Sequence, residues 1–164
     1  MTFEIIVRNM IDKYEQGYTE DAGGPTKYGI SLRANPDLTK QKIKNLTIQQ
    51  AVERYRKKEW KQVSGDCLLK KSEFIASLVF DYAVNSGSVI AVKHLQESLS
   101  DLGFLVKIDG KMGPDTLAKV NNSDKNALAT CYLAKRVVFM SGLRNWDRNK
   151  NGWSLRLFSL AVNK

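Results

Sequence analysis

Glu15 follows a stretch in which Phe3, Ile6, Val7, Met10, Ile11 and Tyr14 recur at three- and four-residue spacing. That spacing predicts a helix over residues 3–14 with a single apolar face. Glu15 then falls at the helix's C-terminal end, beside the face turned to the interior. A carboxyl so placed can pass a proton to the leaving oxygen of a glycosidic bond. Gly17, Gly23, Gly24 and Pro25 come next. They stop any helix between residues 16 and 28 and predict a loop or a small hairpin. Glycine there lets backbone approach a ligand closely. Other chemistries lack material. One histidine, His94, leaves nothing for a Ser/His/Asp triad or a His-rich metal centre, and it reads as exposed and inert. Cys67 and Cys131 read as free thiols, because a structural zinc site takes about four ligands.

A second polar feature sits on the predicted central helix. Ser72 caps a segment 73–86 in which Phe74, Ile75, Ala76, Leu78, Val79, Phe80, Tyr82, Ala83 and Val84 leave almost no polar circumference. Ser77, Asp81, Asn85 and Ser88 form one stripe along it. A buried helix with one polar stripe either meets an internal hydrogen-bonding need or lines a polar cleft.

Glu15-Gln16-Gly17-Tyr18 followed by Asp21-Ala22-Gly23-Gly24-Pro25-Thr26-Lys27-Tyr28-Gly29-Ile30 resembles the signature of glycoside hydrolase family 108. Phe80-Asp81-Tyr82-Ala83-Val84-Asn85-Ser86-Gly87 resembles that family's D-x-A-V-N-S-G helix. Leu95-Gln96 with Asp109-Gly110-Lys111-Met112-Gly113-Pro114-Asp115-Thr116 is similar to the L-Q … D-G-x-x-G-P-x-T pattern of its peptidoglycan-binding-type C-terminal region. Gly152-Trp153 with Arg156 is similar to a late G-W-x-x-R element. The resemblance implies a mainly α, lysozyme-like fold and an N-acetylmuramidase of the phage-endolysin kind. Such an enzyme cleaves the β-1,4 bond between N-acetylmuramic acid and N-acetylglucosamine and is antimicrobial. It further implies Glu15 as general acid, with Thr26 and the backbone of 21–28 holding substrate or water. Tyr18 and Tyr28 would contact sugar, and Asp81 and Asn85 would line the cleft. Two positions depart from the pattern: Gln16 replaces a glycine, and the insert between Tyr18 and Gly23 is short. The second acidic group is therefore Asp21, Glu20 or neither, and inverting and retaining chemistry both stay open, as does a lytic transglycosylase. No metal or organic cofactor is implied.

The elements that must position these residues are helices on short connections. Thr47 and Gln50 form a capping box before a helix reaching about Trp60. Val92, Leu95, Leu99 and Leu102 mark a helix stopped by Gly103. Gly113-Pro114 starts another with proline at its first position. Ser123 opens a long helix to Ser141, and a last helix follows Gly152. Residues 105–108 and parts of 16–28 are the sole strand candidates. Asp147-Arg148-Asn149-Lys150-Asn151-Gly152 matches the opening of an EF-hand loop, but Phe158 stands where the bidentate glutamate belongs, so it reads as an Asx-stabilised turn. Trp60, Trp146 and Trp153 read as core.

At 164 residues and 43% hydrophobic, the chain can bury one compact domain, with a muramidase-type part over 1–87 and a peptidoglycan-binding-type part over 88–164. No apolar run approaches the roughly 18 residues of a membrane span, and Arg8 interrupts Ile5-Ile6-Val7, so neither membrane insertion nor a signal peptide is expected. A phage enzyme made in the cytoplasm would then need a holin-type pore to reach the wall or periplasm. The net charge of +9 favours an anionic partner. Peptidoglycan glycan strands fit this better than nucleic acid, for which no binding motif is present. The expected state is a monomer. The rival reading is a non-catalytic peptidoglycan-binding protein.

Overall fold

The computed structural model describes residues 2–21 and 24–162, and the side chain of Asp21 also lies outside that description. The elements run α1 (Phe3–Tyr14), β1 (Tyr18–Asp21), β2 (Gly24–Lys27), β3 (Ile30–Ser31), α2 (Lys40–Lys44), α3 (Ile48–Tyr55), α4 (Gly65–Leu69), α5 (Glu73–Ser86), α6 (Ser88–Asp101), α7 (Pro114–Asn122), α8 (Lys125–Ser141) and α9 (Trp146–Val162). A π-helical turn, Arg56–Trp60, follows α3. The architecture is mainly α, with a small antiparallel sheet in the order β1-β2-β3 after the first helix.

Local chemistry set many helix starts where expected. Thr47 Oγ1 accepts the Gln50 N–H at 3.2 Å while Gln50 Oε1 accepts the Thr47 N–H at 2.9 Å. Ser72 Oγ accepts the Ile75 N–H at 3.2 Å and opens α5. Two expectations are corrected. Asp124, not Ser123, caps α8 through the Ala127 N–H at 2.7 Å, because the Ser123 hydroxyl is spent on Val120 O at 2.9 Å. The stretch from Asp147 to Gly152 is no turn; it lies inside α9, which starts at Trp146. Helical bonding there begins with the Asn149 N–H donating to Asn145 O at 3.2 Å, and the Trp146 and Trp153 rings, seven residues apart, lie 6.1 Å from centroid to centroid.

The chain forms two compact units, 1–58 and 59–164. Helix α5 packs on α4, α6 and α8 and so anchors the second unit. In the first unit, α1 buries Phe3, Ile6, Val7, Met10 and Ile11, and Ile30, Ile43, Leu46, Val52 and Tyr55 complete the core. In the second, α5 buries Ile75, Leu78, Val79, Phe80 and Tyr82. Trp60 is buried there as well. Its indole N–H donates to Asp66 Oδ1 at 2.9 Å, and Gly65 beneath it leaves no room for a side chain. No helix is long and apolar enough to cross a membrane among the described residues.

Candidate active site

Glu15 ends α1. Its N–H still donates to Ile11 O at 2.9 Å, while its own φ of −128° and ψ of 30° leave the helix. The side chain is half-buried. It lies against Gly29: a methyl group built there would stand 3.2 Å from Glu15 Cγ and 3.3 Å from Cδ. Gly29 belongs to the β2–β3 turn, where Tyr28 and Gly29 have φ of 53° and 76°. Two successive positive φ values make a tight hairpin turn whose twist suits the flanking strands.

The turn is held from two sides. Tyr55, buried on α3, donates its hydroxyl to Tyr28 O at 2.9 Å, and the Tyr28 N–H reaches Gly17 O at 3.4 Å. The Tyr55 hydroxyl would be 2.3 Å from a methyl group on Gly29, so position 29 admits no side chain without moving the tyrosine. Glu15 is therefore enclosed by a helix end, a strained turn and a buried tyrosine. Sequence reasoning missed Tyr55 as part of this arrangement, since its position reads as ordinary helix core. Gly29 was visible only as one letter of a motif.

Strand register sorts the remaining candidates. Tyr18 pairs with Lys27, Thr19 with Thr26, Glu20 with Pro25 and Thr26 with Ser31. Because side chains alternate along a strand, Tyr18 and Glu20 share one face with buried Pro25 and Ile30. Thr19, Thr26 and Ser31 form a row of hydroxyl groups on the other. Tyr18 and Thr26 thus belong to opposite faces. On the first, Tyr18 donates to Glu20 Oε2 at 2.9 Å and Lys40 binds Glu20 Oε1 at 2.6 Å. The Lys40 ammonium, and after it the Tyr18 hydroxyl, hold the Glu20 carboxyl below its ordinary range. Glu20 is thereby committed as a paired carboxylate. Tyr28 is half-buried, with the Lys27 ammonium 5.2 Å from its ring centroid. Asp21 closes β1 opposite Gly24, its side chain outside the described part. Thr19 and Ser31 had only one signal in the sequence, the period of two.

Asp81 does not line a cleft. It is 3% exposed and sits between two guanidinium groups. Arg136 Nη1 is 2.7 Å from Oδ2, and Arg156 donates from Nη2 at 2.8 Å and from Nε at 3.0 Å to Oδ1. Burial raises the Asp81 carboxyl's affinity for a proton, but the two arginines outweigh it and the net shift is downward. Asn85, one turn later, is exposed and accepts the Ser86 hydroxyl at 3.1 Å. His94 is not inert: half-buried, it holds its Nδ1 2.9 Å from the Tyr82 hydroxyl, and burial lowers its pKa. Cys67 and Cys131 are free thiols.

The polar letters of the second motif point inward. Gln96, 1% exposed, donates from Nε2 to Asp109 Oδ1 and Lys111 O, both at 3.0 Å. Its Oε1 accepts the N–H groups of Asp109 at 3.0 Å and Gly110 at 2.9 Å. Thr116 Oγ1, buried, lies 3.3 Å from Gln96 Nε2. These residues build the loop before α7.

Residues 8–87 match the family model described as glycosyl hydrolase 108. That segment is of the glycosyl hydrolase 108 type. Residues 90–157 match a predicted peptidoglycan domain. A solved structure of Brucella abortus SagA is similar over 97% of this chain and 91% of its own, with 27% identity and a TM-score of 0.85. No curated protein matches. With these two segments the chain is a glycoside hydrolase that acts on peptidoglycan at the cell wall, and Glu15, Thr26, Tyr28 and Gly29 all lie inside the hydrolase segment.

Proposed function

We propose that this hydrolase is an N-acetylmuramidase that cuts the β-1,4 bond between N-acetylmuramic acid and N-acetylglucosamine, with Glu15 as general acid. The observation that carries the reading is the placement of Glu15, a carboxyl at a helix end held against Gly29 within the family segment. Glu15 gives its proton to the bridging oxygen as the C1–O bond breaks. Positive charge builds on the muramic acid C1 and ring oxygen. The hydroxide of a water then adds to C1, and the proton that water loses restores Glu15 directly or through solvent.

Thr26, with Thr19 and Ser31 beside it, holds that water. Hydroxyl groups can donate to and accept from it but cannot carry a full charge at this pH. Glu20 is tied to Lys40 and Tyr18, which favours a hydroxyl-held water over this carboxylate. Asp21 is a further acidic candidate, and Tyr28 is a candidate sugar contact. The enzyme works as a monomer in the manner of a phage endolysin, reaching the wall through a holin-type pore.

Mass spectrometry of products from purified peptidoglycan tests the reading. Fragments with reducing muramic acid ends are expected. A 1,6-anhydro end would replace it with lytic transglycosylase chemistry, and wall binding without release would make the chain a non-catalytic binder.

A further inference from the structure

The first unit carries a cavity of about 470 Å³ away from Glu15, lined by residues of α2, α3 and their flanks. Its size falls within the roughly 300–1,000 Å³ of small-ligand pockets. Leu38 and Leu46 give it apolar wall. Gln41, Asn45 and Gln50 bring side-chain amides. The Gln50 Oε1 is already used by the Thr47 N–H, so its amide nitrogen is the group left to bind. Lys42, Lys57 and Arg54 supply positive charge and Glu53 one negative charge.

The balance of charge points to a ligand that accepts hydrogen bonds. The Arg54 Nη2 is saturated by both Asp37 oxygens at 2.8 Å and Asn35 Oδ1 at 3.2 Å. Lys42 and Lys57 make no ion pair among the described residues, whereas Lys40, Arg54 and Arg56 nearby are each paired with a carboxylate. Seven basic residues stand against the single acid Glu53 between Leu38 and Lys58.

Resting on the peptidoglycan reading, we infer that this cavity is a subsite for the wall's stem peptides. These are short peptides with free carboxylates for Lys42 and Lys57, amide groups for Gln41, Asn45 and Gln50, and an amino group for Glu53. The small side chains of such a peptide lie on Leu38 and Leu46. The subsite grips the peptide while the glycan is cut elsewhere on the same chain.

The test uses the full chain and a synthetic, sugar-free stem tetrapeptide. Amide resonances of residues 38–57 should shift on titration. Reversing both free charges, as Lys42→Glu with Lys57→Glu, should weaken binding about tenfold or more, as losing one charge-assisted contact does. The melting temperature and the cleavage of peptide-free glycan strands should not change. Shifts centred elsewhere, or equal binding by the double variant, would overturn the subsite. So would displacement of the tetrapeptide by inorganic phosphate at equal concentration, which would make it a phosphate site. Peptide binding without glycan cleavage would defeat the muramidase reading and leave the subsite standing. Glycan cleavage without peptide binding would do the reverse.

Discussion

Glu15 and Gly29 lie against each other, and the proposed chemistry tests them together. A glutamine at 15 keeps the size and the helix end but has no proton to give. Glu15→Gln is therefore expected to lose at least about 100-fold in wall lysis, the scale of a lost general acid, while its melting curve and wall binding stay as in the parent. Turnover near the parent's in a folded variant would remove Glu15 from the mechanism. Gly29→Ala tests the support. It places a side chain at a φ of 76° and 2.3 Å from the Tyr55 hydroxyl. Backbone strain of this kind costs roughly 1–3 kcal/mol, so thermal melting should show a clear loss of stability. Activity should fall further than the unfolded fraction explains, because the tyrosine and Glu15 must both move. Tyr55→Phe removes the bond to Tyr28 O. A cost of about 1 kcal/mol is expected, with kcat lowered more than wall affinity.

At the scale of elements, the ion cluster joins three helices. Asp81 comes from α5, Arg136 from α8 and Arg156 from α9. The Arg136 guanidinium also lies 4.7 Å from the Tyr82 ring centroid, which gives a buried cation an aromatic face besides its carboxylate. Removing the shared carboxylate leaves two buried positive charges facing each other. Asp81→Asn should cost about 3–5 kcal/mol by chemical denaturation. Because the folded carboxyl binds its proton less tightly than the unfolded one, its contribution is complete above the unfolded value near 3.8. It is lost as pH falls through the lower folded value. The stability gap between parent and Asp81→Asn should therefore narrow on acidification below about pH 4. Parallel curves down to pH 2 would show that this carboxylate is not what couples acid to unfolding. Gln96 plays the same part for the loop before α7. Gln96→Leu takes the acceptor from the part-buried N–H groups of Asp109 and Gly110, and losing such hydrogen bonds costs about 1 kcal/mol each.

For the whole molecule, the +9 charge and the chemistry at Glu15 should separate experimentally. The Debye length shrinks from about 10 Å at 0.1 M salt to about 3 Å at 1 M. Attraction to an anionic wall is screened over that range, whereas cleavage of a short uncharged chito-oligosaccharide involves no such attraction. Wall lysis should slow with salt while oligosaccharide turnover changes little. Equal inhibition of both would return the lysine and arginine runs to the role of a solvated surface.

What the chain's order of residues determined by itself was local. Thr47 with Gln50, Ser72 before α5, Pro114 behind Gly113 and the helix-ending Glu15 are each set by neighbours within four residues, so spacing alone placed them. The glycine-rich segment after α1 announced a hairpin, and the sheet supplied it. The tertiary structure decided where polar groups went. Asp81 and Asn85 sit one helical turn apart on one predicted stripe, yet the first is buried and the second exposed, because Arg156 reaches Asp81 from 75 positions along the chain. Residues 147–152 carry loop-forming letters but run as helix, where Trp146 and Trp153 stand two turns apart on one face with their rings in contact. Tyr55 became part of the Glu15 site only when its hydroxyl met a carbonyl 27 residues away. Capping and periodicity are energies between near neighbours and can be read along a line. The partner of a buried charge is chosen by which helices pack together, and that is settled only when the chain has folded.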